Sequence, residues 1–337
     1  MIYLDNAATT PLSDSVKKCI TYVLEQYGNP SSLYNFGRES NQLVQESREK
    51  IAKAINCSPE EIYFTSGASE SNTWALAQAD RCICSPVEHH SILNNPRTKV
   101  KDGTLLLSNM LVNNETGEIY DVKKIFAGSQ CLTHTDATQA VGNISVDVKK
   151  LGVDMLSFSG HKFHAPKGIG CLYVKQGTKL QPLIYGGKQE CGVRGGTENT
   201  IGIAAIGVAI EEAIENMEAK NKQCSLLKQT MLNEFTRNHL NYIVNGTNTI
   251  PSTLSVSYRG VESEAIGLWL NQYGICVSSG SACNSGSAEP SHVLKAIGCP
   301  AEYINGTIRF SFSLENTVEE IKYTCNKVAE IISKLEM

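Results

Sequence analysis

From residue 62 to residue 174 the chain repeats one pattern: a short apolar run, then a turn of small or polar residues or a helical stretch. Apolar runs at 62–65, 82–85, 104–112, 131–135, 155–158 and 170–174 read as strands, with helical segments from about residue 70 and over 122–127 between them. Strands alternating with helices predict a mostly parallel sheet with helices on both faces. Ahead of this region Ser13 can cap a helix to about residue 27, and Leu43, Val44, Ile51 and Ile55 recur at helical spacing over 38–55. Ser58-Pro-Glu-Glu61 fits a capping box that opens a single turn.

Beyond residue 201 the character changes. A long helical region runs past 232 and is charged around 211–222, which suits a connector between domains. A strand follows at 253–258, then a helix over 262–272, a strand at 275–277, a Ser/Gly loop, a helix near 291–297, a strand at 307–313 and a last helix from 317. The expected division is a large domain over 13–215 and a smaller α+β domain made of 1–12 and 216–337, which carries the loop 278–290. At 337 residues the chain can bury two cores.

Charge excludes one class of function. With 30 Lys and Arg against 34 Asp and Glu, the chain has no basic excess to hold a nucleic-acid backbone. The longest greasy stretch, 201–210, is too short to cross a bilayer, and the first residues lack the basic start and apolar core of a signal peptide. A soluble, cytoplasmic protein without a membrane partner is the expectation. Twelve cysteines are scattered without a CxxC pair or repeated metal-ligand spacing, so most are read as reduced core thiols. Cys82-Ile-Cys84 is read as two thiols on opposite faces of a strand.

Several constellations carry chemistry. Ser157-Phe-Ser-Gly-His-Lys162 follows an apolar strand and precedes Pro166-Lys-Gly-Ile-Gly170, which places Lys162 in a tight turn at a strand end, where open α/β sheets bind ligands. Such a lysine can form a Schiff base with pyridoxal phosphate (PLP), although in isolation it is more commonly a solvated charge. Asp136, in His134-Thr-Asp-Ala-Thr-Gln139, can set an anion against a pyridine nitrogen, with Gln139 donating to the phenolic oxygen; the alternative is a helix cap. Thr65-Ser-Gly-Ala-Ser-Glu-Ser71 lies between a strand and a helix start, where free N–H groups attract anions, or where a Ser-rich turn is only a cap. The imidazoles of Glu88-His-His-Ser91 can stack on a ring or move a proton, or serve structure alone. In Val277-Ser-Ser-Gly-Ser-Ala-Cys-Asn-Ser-Gly-Ser-Ala-Glu-Pro290 the Ser/Gly content predicts a mobile loop with Cys283 exposed in its middle, against the alternative of a passive surface thiol.

Together, Tyr3-Leu-Asp-Asn-Ala-Ala-Thr-Thr, Tyr27-Gly-Asn-Pro-Ser-Ser, Phe64-Thr-Ser-Gly-Ala-Ser-Glu-Ser-Asn, Glu88-His-His, Val112-Asn-Asn-Glu, Asp136-Ala-Thr-Gln, Ser157-Phe-Ser-Gly-His-Lys, Arg194-Gly-Gly-Thr-Glu, Ser278-Ser-Gly-Ser-Ala-Cys and Ile308-Arg-Phe-Ser resemble the motifs of the cysteine desulfurases, in the family's order and over nearly the whole chain. These are class V aminotransferase relatives with the PLP-dependent transferase fold type I. The resemblance implies an α/β fold whose large domain has a mostly parallel mixed sheet flanked by helices, with a smaller α+β domain beside it. It implies that Lys162 carries the cofactor PLP, that Asp136 pairs with its ring nitrogen, that Gln139 touches its phenolic oxygen and that His89 stacks on the ring and belongs to the catalytic set. Gly67, Ala68, Ser69, Ser159 and His161 would hold the phosphate, joined by Thr197 from the second subunit of a homodimer.

On the same basis Asn114 touches cofactor and substrate, Arg309 grips the carboxylate of L-cysteine, and the Cys283 thiolate receives the sulfur as a persulfide while alanine leaves. The implied acceptor is an iron–sulfur scaffold or a tRNA-thiolation enzyme. No resident metal is implied, and Cys283 is at most a transient iron–sulfur ligand. Ser69 stands where relatives commonly have Thr, and the stretch 90–113 is short for the family, so a peripheral helix and strand are expected to be missing. Cys283 argues against transamination or selenocysteine cleavage by the same fold, and the presence of Lys162 and Asp136 argues against a noncatalytic sulfur carrier.

Overall fold

A computed structural model describes residues 1–279 and 290–335, so Cys283 and most of the loop expected over 278–290 lie outside the described residues. The chain divides into two compact units. One comprises Thr10–Val112 and Tyr120–Glu215; the other comprises Met1–Thr9, Asn113–Ile119 and Asn216–Met337. Residues 10–12 and 113–119 thus fall in units other than those expected for them. The second of these differences matters, because 113–119 contains Asn114.

The larger unit is built on a six-stranded sheet in the order Ile62–Thr65, Gly170–Val174, Met155–Ser159, Leu132–Asp136, Leu105–Ser108, Arg81–Cys84. The last four strands pair in parallel, and Gly170–Val174 runs antiparallel to both of its neighbours, so the sheet is mixed. Met155–Ser159 and Gly170–Val174 are buried at every position, as strands covered on both faces must be. Helix Ala68–Leu76 packs on the middle strands, and helices Asp14–Val23 and Asn35–Ile55 pack on Thr200–Glu215. A Cβ at Gly207 would lie 2.7 Å from Ser47 Cβ, so the helix pair 35–55 and 200–215 approaches backbone to side chain as only glycine allows.

Ser13 caps its helix through Val16 N, although the helix stops at Val23. Glu61 accepts the Ser58 N–H over the single turn Pro59–Glu61, the reciprocal bond of a capping box. The strand expected over 104–112 is regular only at Leu105–Ser108. Between the short helix His90–Leu93 and that strand there is a 3-10 turn, Pro96–Lys99, packed beside Arg81–Cys84, which is left as the edge of the sheet. One expectation is corrected: residues two apart on a strand share a face, and on Arg81–Cys84 the buried Cys82 and partly buried Cys84 flank the exposed Ile83 between them. All eleven cysteines among the described residues are free thiols.

In the smaller unit the strands Ser278–Ser279, Thr307–Ser311, Thr253–Tyr258 and Tyr242–Asn245 form an antiparallel sheet in that order, and Ile2–Tyr3 pairs in parallel with Ile275–Cys276. Phe235, Leu254, Tyr258, Phe310, Ile321 and Val328 belong to its core. The long helical region expected from 201 is two helices, Thr200–Glu215 and Met217–Arg237, separated at Asn216 where the two units meet in sequence. Tyr242–Asn245 had no expectation, being four residues long and bounded by an Asn-Gly pair. Among the described residues no helix is long and apolar enough to cross a membrane.

Candidate active site

Lys162 ends a 3-10 turn, Gly160–Lys162, that directly follows the strand Met155–Ser159, and it is half-buried. The turn is held from far away in sequence. Thr10 donates both its N–H and its Oγ1 hydroxyl to the His161 carbonyl, each at 3.0 Å, and its Oγ1 accepts the His164 N–H at 2.8 Å. Gly160 donates to the Ile169 carbonyl and accepts from Phe163 and Ala165, which closes the loop on itself. Thr10 lies in a motif the sequence displays, yet nothing in the sequence shows that it clamps the lysine turn.

Asp136 ends the neighbouring strand and is 5% exposed. Its Oδ1 accepts the Thr138 N–H at 2.9 Å and its Oδ2 accepts Asn72 Nδ2 at 2.7 Å. The other hydrogen of that amide goes to Ser91 Oγ at 2.9 Å, and the Ser91 hydroxyl meets His89 Nδ1 at 2.8 Å. His89 Nδ1 also accepts the Ser91 N–H, so the proton of the neutral ring is assigned to Nε2. A single chain of hydrogen bonds therefore joins Asp136, Asn72, Ser91 and His89, and each hydrogen has one destination. Gln139 is buried on the turn after Asp136, where its carbonyl accepts Asn143 Nδ2. Thr138 Oγ1 in the same turn is buried with no partner among the described residues.

A second chain lies inside the sheet. Ser108 Oγ sits 3.1 Å from Glu88 Oε1 and 3.0 Å from His134 Nδ1, and His134 Nε2 sits 2.9 Å from Ser157 Oγ. Burial, with the Asp136 charge adding to it, holds the Glu88 carboxyl well above the usual carboxylate range. Burial pushes His134 down to about 4, with Asp136 opposing. His134 is therefore neutral near pH 7, and the Glu88 carboxyl is biased toward its protonated form. Neither role had been read from the sequence; the one signal was a histidine at an inward position of an apolar strand.

The anion cradle is formed where strand Ile62–Thr65 gives way to helix Ala68–Leu76. Gly67, the N-cap, has φ +157 and no side chain with which to cap the first N–H groups of the helix, the kind of helix start that attracts anions. Ala68 and Ser69 are the first two helical residues. A Cβ on Gly67 would sit 3.6 Å from Ser159 Oγ, so the hydroxyl of the strand before Lys162 faces this helix start. Gly170 presses on the same point: a Cβ there would lie 2.6 Å from Gly67 Cα. His161 is pushed down to about 4 by burial and then by Lys162 and Lys167, so it stands as a neutral donor or acceptor.

Thr197 is exposed on a segment tied down at two places. Arg194 Nε and Nη2 donate to Glu70, whose Oε2 also accepts the Ser66 N–H at 2.8 Å. Arg48 and Glu190 form a buried pair at 2.7 Å, with Glu190 also accepting the Phe64 N–H. Glu190 and Cys191 have φ of +44° and +57°, a left-handed backbone that non-glycine residues hold only when their surroundings enforce it. Glu70, next to Ser69, thus links the cradle to the segment bearing Thr197.

Asn114 and Arg309 belong to the smaller unit. Arg309, 6% exposed on Thr307–Ser311, donates from Nη1 to the Asn114 carbonyl at 2.6 Å and from Nη2 to Asp5 Oδ1 at 2.9 Å. Its Nε is buried without a partner among the described residues. The Asn113 side chain holds the loop by accepting the N–H groups of Glu115 and Thr116, both at 2.9 Å. Cys283 has no described position.

These residues fit PLP. The helix start capped only by Gly67 suits a phosphate dianion, the buried Asp136 carboxylate suits a protonated ring nitrogen, and Lys162 follows the same sheet edge.

The aminotransferase class-V family matches the chain over residues 2–98 and 93–324. Among curated relatives, a cysteine desulfurase IscS of Dictyoglomus turgidum is 41% identical over 99% of this chain and 95% of its own length. Another, from Methanosarcina thermophila, is 39% identical over 99% and 92%. A solved NifS-like protein superimposes with a TM-score of 0.90 at 33% identity, covering 99% of this chain and all of that one. One from Rickettsia africae has a TM-score of 0.90 at 28% identity, covering 99% of both. SspA in complex with cysteine gives 0.78 at 30%, covering 94% of this chain and 100% of its own.

Proposed function

The chain belongs to the aminotransferase class-V family and is one of its cysteine desulfurases; from that premise we propose that it binds PLP on Lys162 and moves sulfur from L-cysteine to Cys283. The observation that carries the reading is the buried Asp136 carboxylate, held by Asn72 and Thr138, on the strand beside the one that delivers Lys162. When bound, PLP supplies an electron sink, strengthened by an anion at its ring nitrogen. Asp136 is that anion, His89 stacks on the ring with its Nδ1 occupied by Ser91, and Gln139 donates to the phenolic oxygen.

The N–H groups at the start of Ala68–Leu76, with the hydroxyls of Ser69 and Ser159 and the neutral His161, hold the phosphate. Thr197 serves the phosphate of a second copy in a homodimer. Arg309 binds the substrate carboxylate, a planar pairing that Lys would not reproduce, and Asn114 lies against substrate and cofactor. Lys162, which would hold the cofactor, would offer its Nζ amine as the base for the substrate Cα proton. The Cys283 thiolate then attacks the substrate sulfur: an S–S bond forms, the C–S bond breaks, and its electron pair stays with the carbon fragment, which is protonated and released as alanine. The persulfide is passed to an acceptor, an iron–sulfur scaffold or a tRNA-thiolation enzyme, in the cytoplasm.

Mass spectrometry after incubation with PLP and L-cysteine tests the reading: one added sulfur is expected on the Cys283 peptide. Lys162→Ala should abolish the visible absorbance of the tethered cofactor. Cys283→Ala should keep that absorbance and lose sulfide release; undiminished turnover in this variant rejects the persulfide route.

A further inference from the structure

Glu88 and His134 are titratable, fully enclosed and unused by the mechanism above. They belong to one file of four side chains across the sheet, none more than 3% exposed. Ser108 Oγ stands 3.1 Å from Glu88 Oε1 and 3.0 Å from His134 Nδ1, and Ser157 Oγ stands 2.9 Å from His134 Nε2. The file begins at the residue before His89 and ends at Ser157, the register partner of Asp136 on the next strand. His134 is two positions before Asp136 on Leu132–Asp136.

Hydrogen counting leaves this file two arrangements. The Ser108 hydroxyl has one hydrogen and lies between two groups, so it donates to one of them only. With Glu88 protonated, its O–H donates to Ser108, Ser108 donates to His134 Nδ1, and His134 Nε2–H donates to Ser157. With Glu88 ionised every bond reverses: Ser157 donates to Nε2, Nδ1–H donates to Ser108, and Ser108 donates to the carboxylate. One proton exchanged with solvent therefore selects the tautomer of a neutral imidazole.

We propose that Glu88 and His134 are positioning residues that act through Asp136: Glu88 stores a proton while Asp136 stands alone as an anion and gives it up when a cofactor ring nitrogen offsets that charge, and His134 changes tautomer with it. The proposal rests on the reading that PLP sets its ring nitrogen against Asp136. Burial, then the charges of Asp136 and Cys84, push the Glu88 carboxyl up, while hydrogen bonds from Ser108 and the Met110 backbone pull it down. Burial pushes His134 down, and Asp136 opposes it. A protonated ring nitrogen beside Asp136 relieves the repulsion on Glu88 and so favours its ionised form. By reciprocity PLP is held more tightly where Glu88 is ionised. Asp136 thus remains the carboxylate that faces the ring whether the cofactor is bound or not.

Nitrogen-15 NMR of the His134 imidazole reads the tautomer directly, in apoprotein and holoenzyme, from about pH 5.5 to about 9.5. Titration of apoprotein with PLP gives the dissociation constant over the same range. In wild-type apoprotein His134 should be the Nε2–H tautomer at the acid end and move toward Nδ1–H as pH rises. PLP should lower the midpoint by about one pH unit, which corresponds to PLP held about tenfold more tightly on the alkaline side. Inorganic phosphate alone, which brings no ring nitrogen, should not lower it. Glu88→Gln, whose amide can donate to Ser108 and accept from the Met110 backbone, should keep Nε2–H throughout. Ser108→Ala should uncouple the tautomer from Glu88. Neither variant should show the tenfold gain, which is measured against Glu88→Gln so that the ionisations of PLP itself cancel.

A wild-type tautomer that does not change with pH, one that changes equally in Glu88→Gln, or a midpoint that bound PLP leaves in place would overturn the proposal. A protein that takes up no PLP rejects the reading of the site itself, and the coupling with it.

Discussion

His134 offers a direct measure of the buried cluster behind Asp136. Its ring lies between Ser108 and Ser157 and is held neutral by burial, with its pKa pushed from 6.5 to about 4. As pH falls, the unfolded chain protonates this imidazole first, so its contribution is fully present above 6.5 and is lost progressively down to about 4. At about 1.4 kcal/mol per pH unit, that interval amounts to about 3 kcal/mol of acid destabilisation. Glu88 acts in the opposite sense. Its raised pKa makes the folded protein the stronger proton binder, so its contribution is present at low pH and falls as pH rises above the ordinary value of 4.5.

The wild-type profile between these limits is therefore a partial cancellation that single variants should separate. His134→Gln keeps a donor and an acceptor for the two serines without titrating. Urea unfolding of the apoprotein at pH steps from 4 to 7.5 should show the stability gap between wild type and His134→Gln changing by about 3 kcal/mol, with wild type losing on acidification. Glu88→Gln should steepen the acid loss. A gap that stays constant with pH would refute a buried neutral imidazole at this position.

Other perturbations follow from the same geometry. Asn72→Ala removes the amide that Asp136 and Ser91 share, and should cost about 2–3 kcal/mol in urea unfolding while weakening PLP retention in dialysis. Gly170→Ala would bring a Cβ 2.6 Å from Gly67 Cα and 2.7 Å from the Phe158 carbonyl, so it should destabilise by about 1–3 kcal/mol and lower phosphate affinity in apoprotein titrations. Glu190→Gln leaves the Arg48 charge without its partner in a site where the two side chains are 13% and 4% exposed, and thermal unfolding should show a loss of about 3–5 kcal/mol, partly recovered by adding Arg48→Met. Arg309→Lys should raise the KM for cysteine more than it lowers kcat, since a single ammonium replaces a planar fork.

Much of the larger unit was legible because its signals are local. The alternation of apolar runs and helices, the Ser13 cap and the capping box of Ser58 and Glu61 each depend on residues within a few positions of one another. Lys162, Asp136 and the Thr65–Ser71 turn could be picked out because each directly follows an apolar run. The break at Asn216 and the strand Tyr242–Asn245 were not legible. A single non-helical residue barely alters a hydrophobic period, and a four-residue strand is recognised chiefly by its partner, here Thr253–Tyr258. The expectation for Cys82 and Cys84 failed for a plainer reason, since the period of a strand puts positions two apart on one face.

By itself the sequence determined which chemical groups are available and the helix-or-strand character of most segments carrying them: an amine after a buried strand, a carboxylate at the end of its neighbour, a helix start capped by glycine. Only the tertiary structure decided what those groups face. Asn72 reaches Asp136 across 64 positions, Thr10 clamps His161 across 151, and Glu115 meets Ser291 across 176. Each contact depends on strand order, register and the path of crossovers, and a hydrogen bond effective over only about 3 Å leaves no periodic trace in the chain that forms it.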